Sequence, residues 1–96
     1  GARGAVPATA NIAPALLVEI YNKFKAGDKD GSKAAQARLH PLRMALTLGT
    51  APGGVKSALR ELGTPIGPCR SPVALIGPDK ANKLREALVS AGLKPV

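Results

Sequence analysis

The side chains best suited to covalent or acid–base chemistry in this chain are eight lysines, one tyrosine, one histidine and one cysteine. A lysine amine can condense with a carbonyl compound, a histidine or tyrosine can move protons, and a thiolate can attack or bind a soft metal. Each use demands partners, and the spacing supplies few. Lys23, Lys25, Lys29, Lys33, Lys56, Lys80, Lys83 and Lys94 all fall in polar, helical or terminal surroundings. Tyr21 belongs to an apolar helical stripe and reads as packing. His40 precedes Pro41 inside a helical pattern, with no Cys, Asp or Glu at ligand spacing, and reads as a surface or helix-edge residue. Cys69 stands beside Arg70 with no histidine near it and reads as an ordinary loop thiol. The stretch "GTAPGG" is glycine-rich, but it lacks the Lys-Ser/Thr of a phosphate loop and follows no strand. No catalytic residue, metal site or cofactor site is therefore expected within these residues.

Composition bounds the elements that could position such groups. Ninety-six residues suit one small domain or a piece of a larger one, with a modest core. Apolar residues make up 45%, yet Tyr21 and Phe24 are the only aromatics. A core of Ala, Leu, Val and Ile suits helices packed on helices. The formal charge of +8 invites a nucleic-acid reading. The fourteen Lys and Arg are spread along the chain without a run of three, however, and no stacking aromatics accompany them, so they read as solvated helix faces. No run of 18 apolar residues offers a membrane span. A single cysteine excludes an internal disulfide and points to a reducing, cytoplasmic setting. The chain opens on Gly1 without an initiator Met, which reads as a processed chain or part of something longer.

Periodicity predicts four helices. The first spans about 13–26, with Ala13, Leu16, Leu17, Ile20, Tyr21 and Phe24 on one stripe, Asn11 as N-cap, Pro14 in the first turn and Gly27 as the stop. The second spans about 32–48, with Ala35, Leu39, Leu42 and Leu46 on one face, Gly49 after it, and a kink expected at Pro41. The third, about 54–62, carries Val55, Ala58, Leu59 and Leu62 and ends at Gly63. The fourth, about 79–91, carries Ala81, Leu84, Ala87, Leu88 and Ala91, with Asp79 near its start and Gly92 as its stop. Between the last two, "GTPIGPCRSPVALIGP" has four prolines in sixteen residues and should be an irregular crossover. Leu17, Ile20, Phe24, Leu39, Leu42, Val55, Leu59, Leu84 and Leu88 should be largely buried, and Lys25, Lys33 and Lys83 exposed.

The opening "GARGAVPATANIAP" differs from the rest. "GAVPAT" is short, apolar on both faces, and runs into a helix start. Strands buried on both faces belong to parallel sheets covered by helices. A strand over about 4–9 would then be the last of an α/β protein; a flexible Gly/Ala-rich tail would look similar. Without sheet neighbours, such a strand and the helix after it should leave the chain an oligomer or prone to aggregate.

The order of motifs resembles one known family. "GARGAVPATANIAP" is similar to the glycine-rich lead into the eighth barrel strand of the dihydrodipicolinate synthase/N-acetylneuraminate lyase family and to its Asn-x-x-Pro helix start. "KAGDKDGSKAAQARLHPLRMAL" resembles the helix pair that follows, including a mid-helix Leu-Pro-Leu; here it reads His-Pro-Leu. "VKSALRELG" with "GPCRSPVALI" resembles the next short helix and proline-rich crossover, and "LREALVSAGL" the closing helix. Residues 1–96 thus look like the C-terminal third of a pyruvate-dependent class I aldolase.

The resemblance implies a fold and a chemistry. As the chain stands it would be mainly α, one last β-strand plus about four helices, taken from an α/β parent: a TIM barrel with a C-terminal helical extension. Residues 1–27 would be the last βα unit and 28–96 the helical subdomain. In the parent, a lysine on the sixth strand forms a Schiff base with pyruvate, an earlier tyrosine shuttles protons, and an earlier Thr-Thr pair binds the carboxylate. All of these lie outside the present residues. The parent is implied to be a lyase of the dihydrodipicolinate synthase (4-hydroxy-tetrahydrodipicolinate synthase) kind, adding pyruvate to an aldehyde, and a homo-oligomer, a tetramer. It needs no cofactor, nucleic acid or membrane, and the segment alone would be inactive. Val6 matches an aliphatic residue beside the bound pyruvate, or else is plain barrel core. Pro7 departs from the small polar residue usual there, and "TAPGGVK" departs from Asn-Pro-x-Pro-x-Lys. These departures leave open a sugar-acid or 4-hydroxy-2-oxoglutarate type of aldolase. A reading of another class is a free-standing basic helical module that binds nucleic acid or a protein partner.

Overall fold

A computed structural model describes residues 1–96. Four α-helices follow one another: α1 (Pro14–Lys25), α2 (Lys29–Ala45), α3 (Gly53–Glu61) and α4 (Pro78–Ser90). Short 3-10 turns occupy Ala8–Asn11 and Leu46–Leu48. α2 lies centrally, packed against α1 on one side and α4 on the other. The core holds Leu16, Leu39, Leu42, Leu84 and Leu88, with Ala35, Ala58 and Ala87 where the helices approach closely.

Local chemistry sets the helix ends. Pro14 opens α1, where its missing N–H would have had no helical partner. Asn11 is not the N-cap expected; its side-chain amide donates to the Ala8 carbonyl at 3.1 Å, within the preceding 3-10 turn. That turn feeds α1 through Thr9, whose carbonyl accepts from Ile12 and Ala13. At the other end Gly27 adopts φ 84°, and the N–H groups of Gly27 and Asp28 donate to the carbonyls of Phe24 and Lys23. This reciprocal closure needs a left-handed residue, which glycine supplies at little steric cost.

Asp28 then serves a second helix. Its carboxylate accepts from the Gly31 N–H at 2.8 Å and caps α2, so α2 begins at Lys29, ahead of the Ser32 start read from periodicity. α2 runs through Pro41 to Ala45. Pro41 cannot donate to the Ala37 carbonyl, but both residues are exposed, leaving that carbonyl open to water.

Two further expectations fail. No strand forms over 4–9: residues 1–7 have no regular structure and Ala8 and Thr9 belong to the 3-10 turn. A strand requires a ladder partner, and no other strand exists in the chain. Phe24 is 61% exposed rather than buried, and Leu17, Ile20, Val55 and Leu59 are only half-buried. The apolar stripe of α1 is wider than α2 can cover. Leu39, Leu42, Leu84 and Leu88 are buried, and Lys25, Lys33 and Lys83 exposed, as periodicity requires.

Candidate functional site

No lysine, tyrosine, histidine or cysteine side chain hydrogen-bonds to another of these groups. Lys23 pairs with Glu19 at 2.9 Å, the Lys56 ammonium donates to the Pro68 carbonyl at 2.9 Å, and Lys80 reaches the Leu48 carbonyl at 3.4 Å. Lys25, Lys29, Lys33, Lys83 and Lys94 are exposed. An imine-forming lysine is activated by an apolar pocket or a neighbouring cation, and no lysine lines either of the two main clefts. His40 is exposed and Cys69 is a half-buried free thiol. No three His, Cys, Asp or Glu side chains gather where they could hold a metal. Val6 projects fully into solvent from the arm of residues 1–7 and touches no pocket.

Two surface clefts stand out. The smaller, about 220 Å³, lies between the start of α1 and the end of α4, lined by Ile12, Ala13, Leu16 and Leu93 with Glu19 and Arg38 at its edge. Arg38 contacts both Glu19 carboxylate oxygens at 3.2 Å. The Lys23 ammonium, hydrogen-bonded to Glu19, holds that carboxyl below the ordinary carboxylate range. Partial desolvation opposes this shift and Arg38 assists it. The second cleft, about 330 Å³, is lined by Ser57, Arg60, Glu61, Ile76, Pro78 and Ala81. Ser57 is already engaged, accepting from the Ile76 N–H at 2.8 Å, and Glu61 is paired with Arg85. In neither cleft is a nucleophile hydrogen-bonded to a base, since Ser57 meets Ile76 and Glu61 meets Arg85.

The glycine pair of "GTAPGG" has a packing role that spacing alone did not reveal. A methyl group on Gly53 would stand 2.0 Å from the Ala74 carbonyl oxygen, and one on Gly54 would stand 2.7 Å from the Leu46 carbonyl oxygen. Only glycine lets the crossover lie so close to α3. Ser57 and Lys56 then fasten that crossover through Ile76 and Pro68.

The remaining unusual surface is the N-terminal one. Val18, Tyr21 and Phe24 are exposed on α1, and Val6 on the arm before it. Residues 1–6 make no backbone hydrogen bond within the chain.

Comparison with known proteins supplies what the chemistry here does not. A family model described as the dihydrodipicolinate synthetase family matches residues 1–91. The chain belongs to that family. Within the dihydrodipicolinate synthetase family it is 41% identical over 88 residues to a 4-hydroxy-tetrahydrodipicolinate synthase of Methanothrix thermoacetophila, covering 92% of this chain and 30% of that protein. It is 38% identical over 93 residues to the corresponding synthase of Rhizobium meliloti, covering 97% of this chain and 32% of the relative. A DapA-like lyase of Halobacterium salinarum is also 38% identical over 93 residues, covering 97% and 31%. A crystal structure of a dihydrodipicolinate synthase superposes over 98% of this chain and 33% of its own, with a TM-score of 0.87 and 32% identity. The chain thus spans about a third of the length of its family relatives.

Proposed function

We propose that this chain is the C-terminal third of a Schiff-base-forming, pyruvate-dependent lyase of the 4-hydroxy-tetrahydrodipicolinate synthase kind. The observation that carries the reading is the family match over residues 1–91, together with synthases related along nearly the whole chain. In the whole enzyme, a TIM barrel, a lysine amine outside these residues condenses with the pyruvate ketone and releases water. The imine draws electrons from the methyl carbon, which loses a proton and becomes an enamine nucleophile. That carbon bonds to an aldehyde carbon, and hydrolysis of the imine frees the product and the lysine.

On this reading residues 1–27 are the last βα unit and 28–96 a helical subdomain. Residues 4–9 become a strand only beside their barrel neighbours, which brings Val6 near the pyruvate at the C-terminal end of the barrel. The enzyme works in the cytoplasm as a homo-oligomer, a tetramer, without a cofactor; no helix of this chain is long and apolar enough to cross a membrane. The segment alone is inactive. The "TAPGGVK" departure supports a second reading, a related 2-oxo acid aldolase. Its glycines are engaged in packing against Ala74 and Leu46, so they identify no aldehyde.

Borohydride reduction in the presence of pyruvate tests the chemistry. No lysine of this chain should be labelled, whereas a full-length polypeptide containing it should be labelled once. A specific adduct on Lys56 or any other lysine here would overturn the proposal.

A further inference from the structure

α3 carries two hydrogen-bond donors that nothing in the chain uses. Ser57 is only 8% exposed, and its hydroxyl oxygen accepts from the Ile76 N–H at 2.8 Å. The helical serines Ser32 and Ser90 pass their hydroxyl protons to the Ile20 and Glu86 carbonyls, whereas the Ser57 O–H donates to no acceptor in the chain. Buried polar hydrogens are nearly always matched, so this one calls for an acceptor from outside. Arg60 lies three residues further along α3, on the same face. Arg38 and Arg85 are both paired with carboxylates, but Arg60 makes no ion pair and no side-chain hydrogen bond. Ser57 and Arg60 both line the cleft of about 330 Å³ where α3 meets the end of the crossover and the start of α4.

Charge narrows the ligand. Glu61, the acid in the lining, is taken by Arg85, which leaves Arg60 as the unbalanced charge of the cleft. Asp79, in the first turn of α4, does not line it. A single free guanidinium beside a free hydroxyl proton matches a monoanion with two acceptor oxygens, and guanidinium with carboxylate is the strong planar combination. With Glu61 occupied, the cleft offers no carboxylate to an ammonium, which disfavours an amino acid. The remaining lining, Leu75, Ile76, Pro78 and Ala81, is apolar and holds no aromatic ring. The volume sits at the small end of ligand sites, which run from about 300 to 1,000 Å³.

We infer that this cleft binds a short aliphatic monocarboxylate. Its carboxylate accepts from the Ser57 hydroxyl and the Arg60 guanidinium, and its hydrocarbon end lies against Leu75, Ile76, Pro78 and Ala81.

The test titrates the whole 96-residue chain with 4-methylpentanoate and follows the backbone amides by NMR. Saturable shifts should appear at Ser57, Arg60, Ile76 and Ala81 and weaken with added salt. Neutral 4-methylpentanamide and leucine, which adds an ammonium, should each bind at least about tenfold more weakly. Arg60 is exposed, so Arg60→Gln should keep the fold and weaken binding at least about tenfold, with Arg60→Lys in between. Ala81→Leu fills the apolar side without altering a charge and should abolish binding in a folded chain. Shifts that never saturate, equal binding of the amide, or binding that survives Arg60→Gln or Ala81→Leu would overturn the site. Tighter binding of 4-methyl-2-oxopentanoate than of 4-methylpentanoate would assign the natural ligand to the 2-oxo acids, and the reverse order to simple fatty acids, the site standing in both cases. Pyruvate trapping reads none of these residues, so the lyase reading and the cleft can fail separately.

Discussion

α1 and α4 are nearly equal in length, 12 and 13 residues, both begin at a proline, and both close onto a left-handed glycine, Gly27 or Gly92. Their buried sides are alike, Leu16 on one and Leu84 and Leu88 on the other. Their solvent sides are not. α4 shows water Asp79, Lys80, Lys83, Glu86 and Ser90 with Val89 as its one exposed large apolar residue, whereas α1 shows Val18, Tyr21 and Phe24 beside Asn22 and Lys25. Helix ends obey local rules of capping and backbone geometry, so the two helices start and stop in the same way. The outward faces are under no such local rule, and there the two helices differ.

The contrast can be broken first at the core the two helices share. Leu88→Ala, on the finished side, should cost about 2–5 kcal/mol in urea denaturation. A mild effect would mean that α4 is not locked into the core. Next, Gly53→Ala should cost about 1–3 kcal/mol, because its methyl group meets the Ala74 carbonyl and the crossover must shift. Ser57→Ala strips the Ile76 N–H of its acceptor and should cost about 1–3 kcal/mol, less if water enters.

On α1's outer face the expectation reverses. Tyr21→Ser should change stability by no more than about 0.5 kcal/mol, while reducing aggregation of the lone chain at high salt, read by light scattering. A large loss of stability would show that Tyr21 is part of the core after all. The smallest effect belongs to Glu19. Its carboxyl titrates lower in the folded chain than the ordinary 4.5, so its contribution is present above that pH and fades as acid protonates the folded form. Glu19→Gln should slightly flatten the melting temperature against pH on the acid side and do little elsewhere. An unchanged acid limb would mean that the Lys23 and Arg38 contacts do not hold in solution.

The sequence announced the helices well because a packed helix must repeat its apolar residues every three or four positions, and Gly27, Gly63 and Gly92 mark the ends. What it concealed depends on neighbours far along the chain or outside it. Asp28 sat in the solvated-looking "KAGDKDGSK", where its double duty between α1 and α2 shows only once the chain turns back. Gly53 owes its role to Ala74, in a crossover whose path periodicity cannot trace. Phe24 fits the stripe of α1 but lies beyond the part α2 covers. The strand pattern of "GAVPAT" was visible, yet a strand is a relation between segments, and these residues contain no second strand to pair with. The candidate site shares that difficulty: Val6 is identifiable only by resemblance, because nothing in these residues meets it.

Tyr21 has a practical consequence. The chain contains no tryptophan and no second tyrosine, so near-ultraviolet emission from the isolated protein comes from this one phenol. Because the ring sits on the uncovered side of α1, its spectrum and its access to dissolved quenchers report directly on whether anything lies over that helix. Any tryptophan brought within energy-transfer range would dim it. The molecule therefore carries a built-in optical gauge on the exposed apolar face of α1.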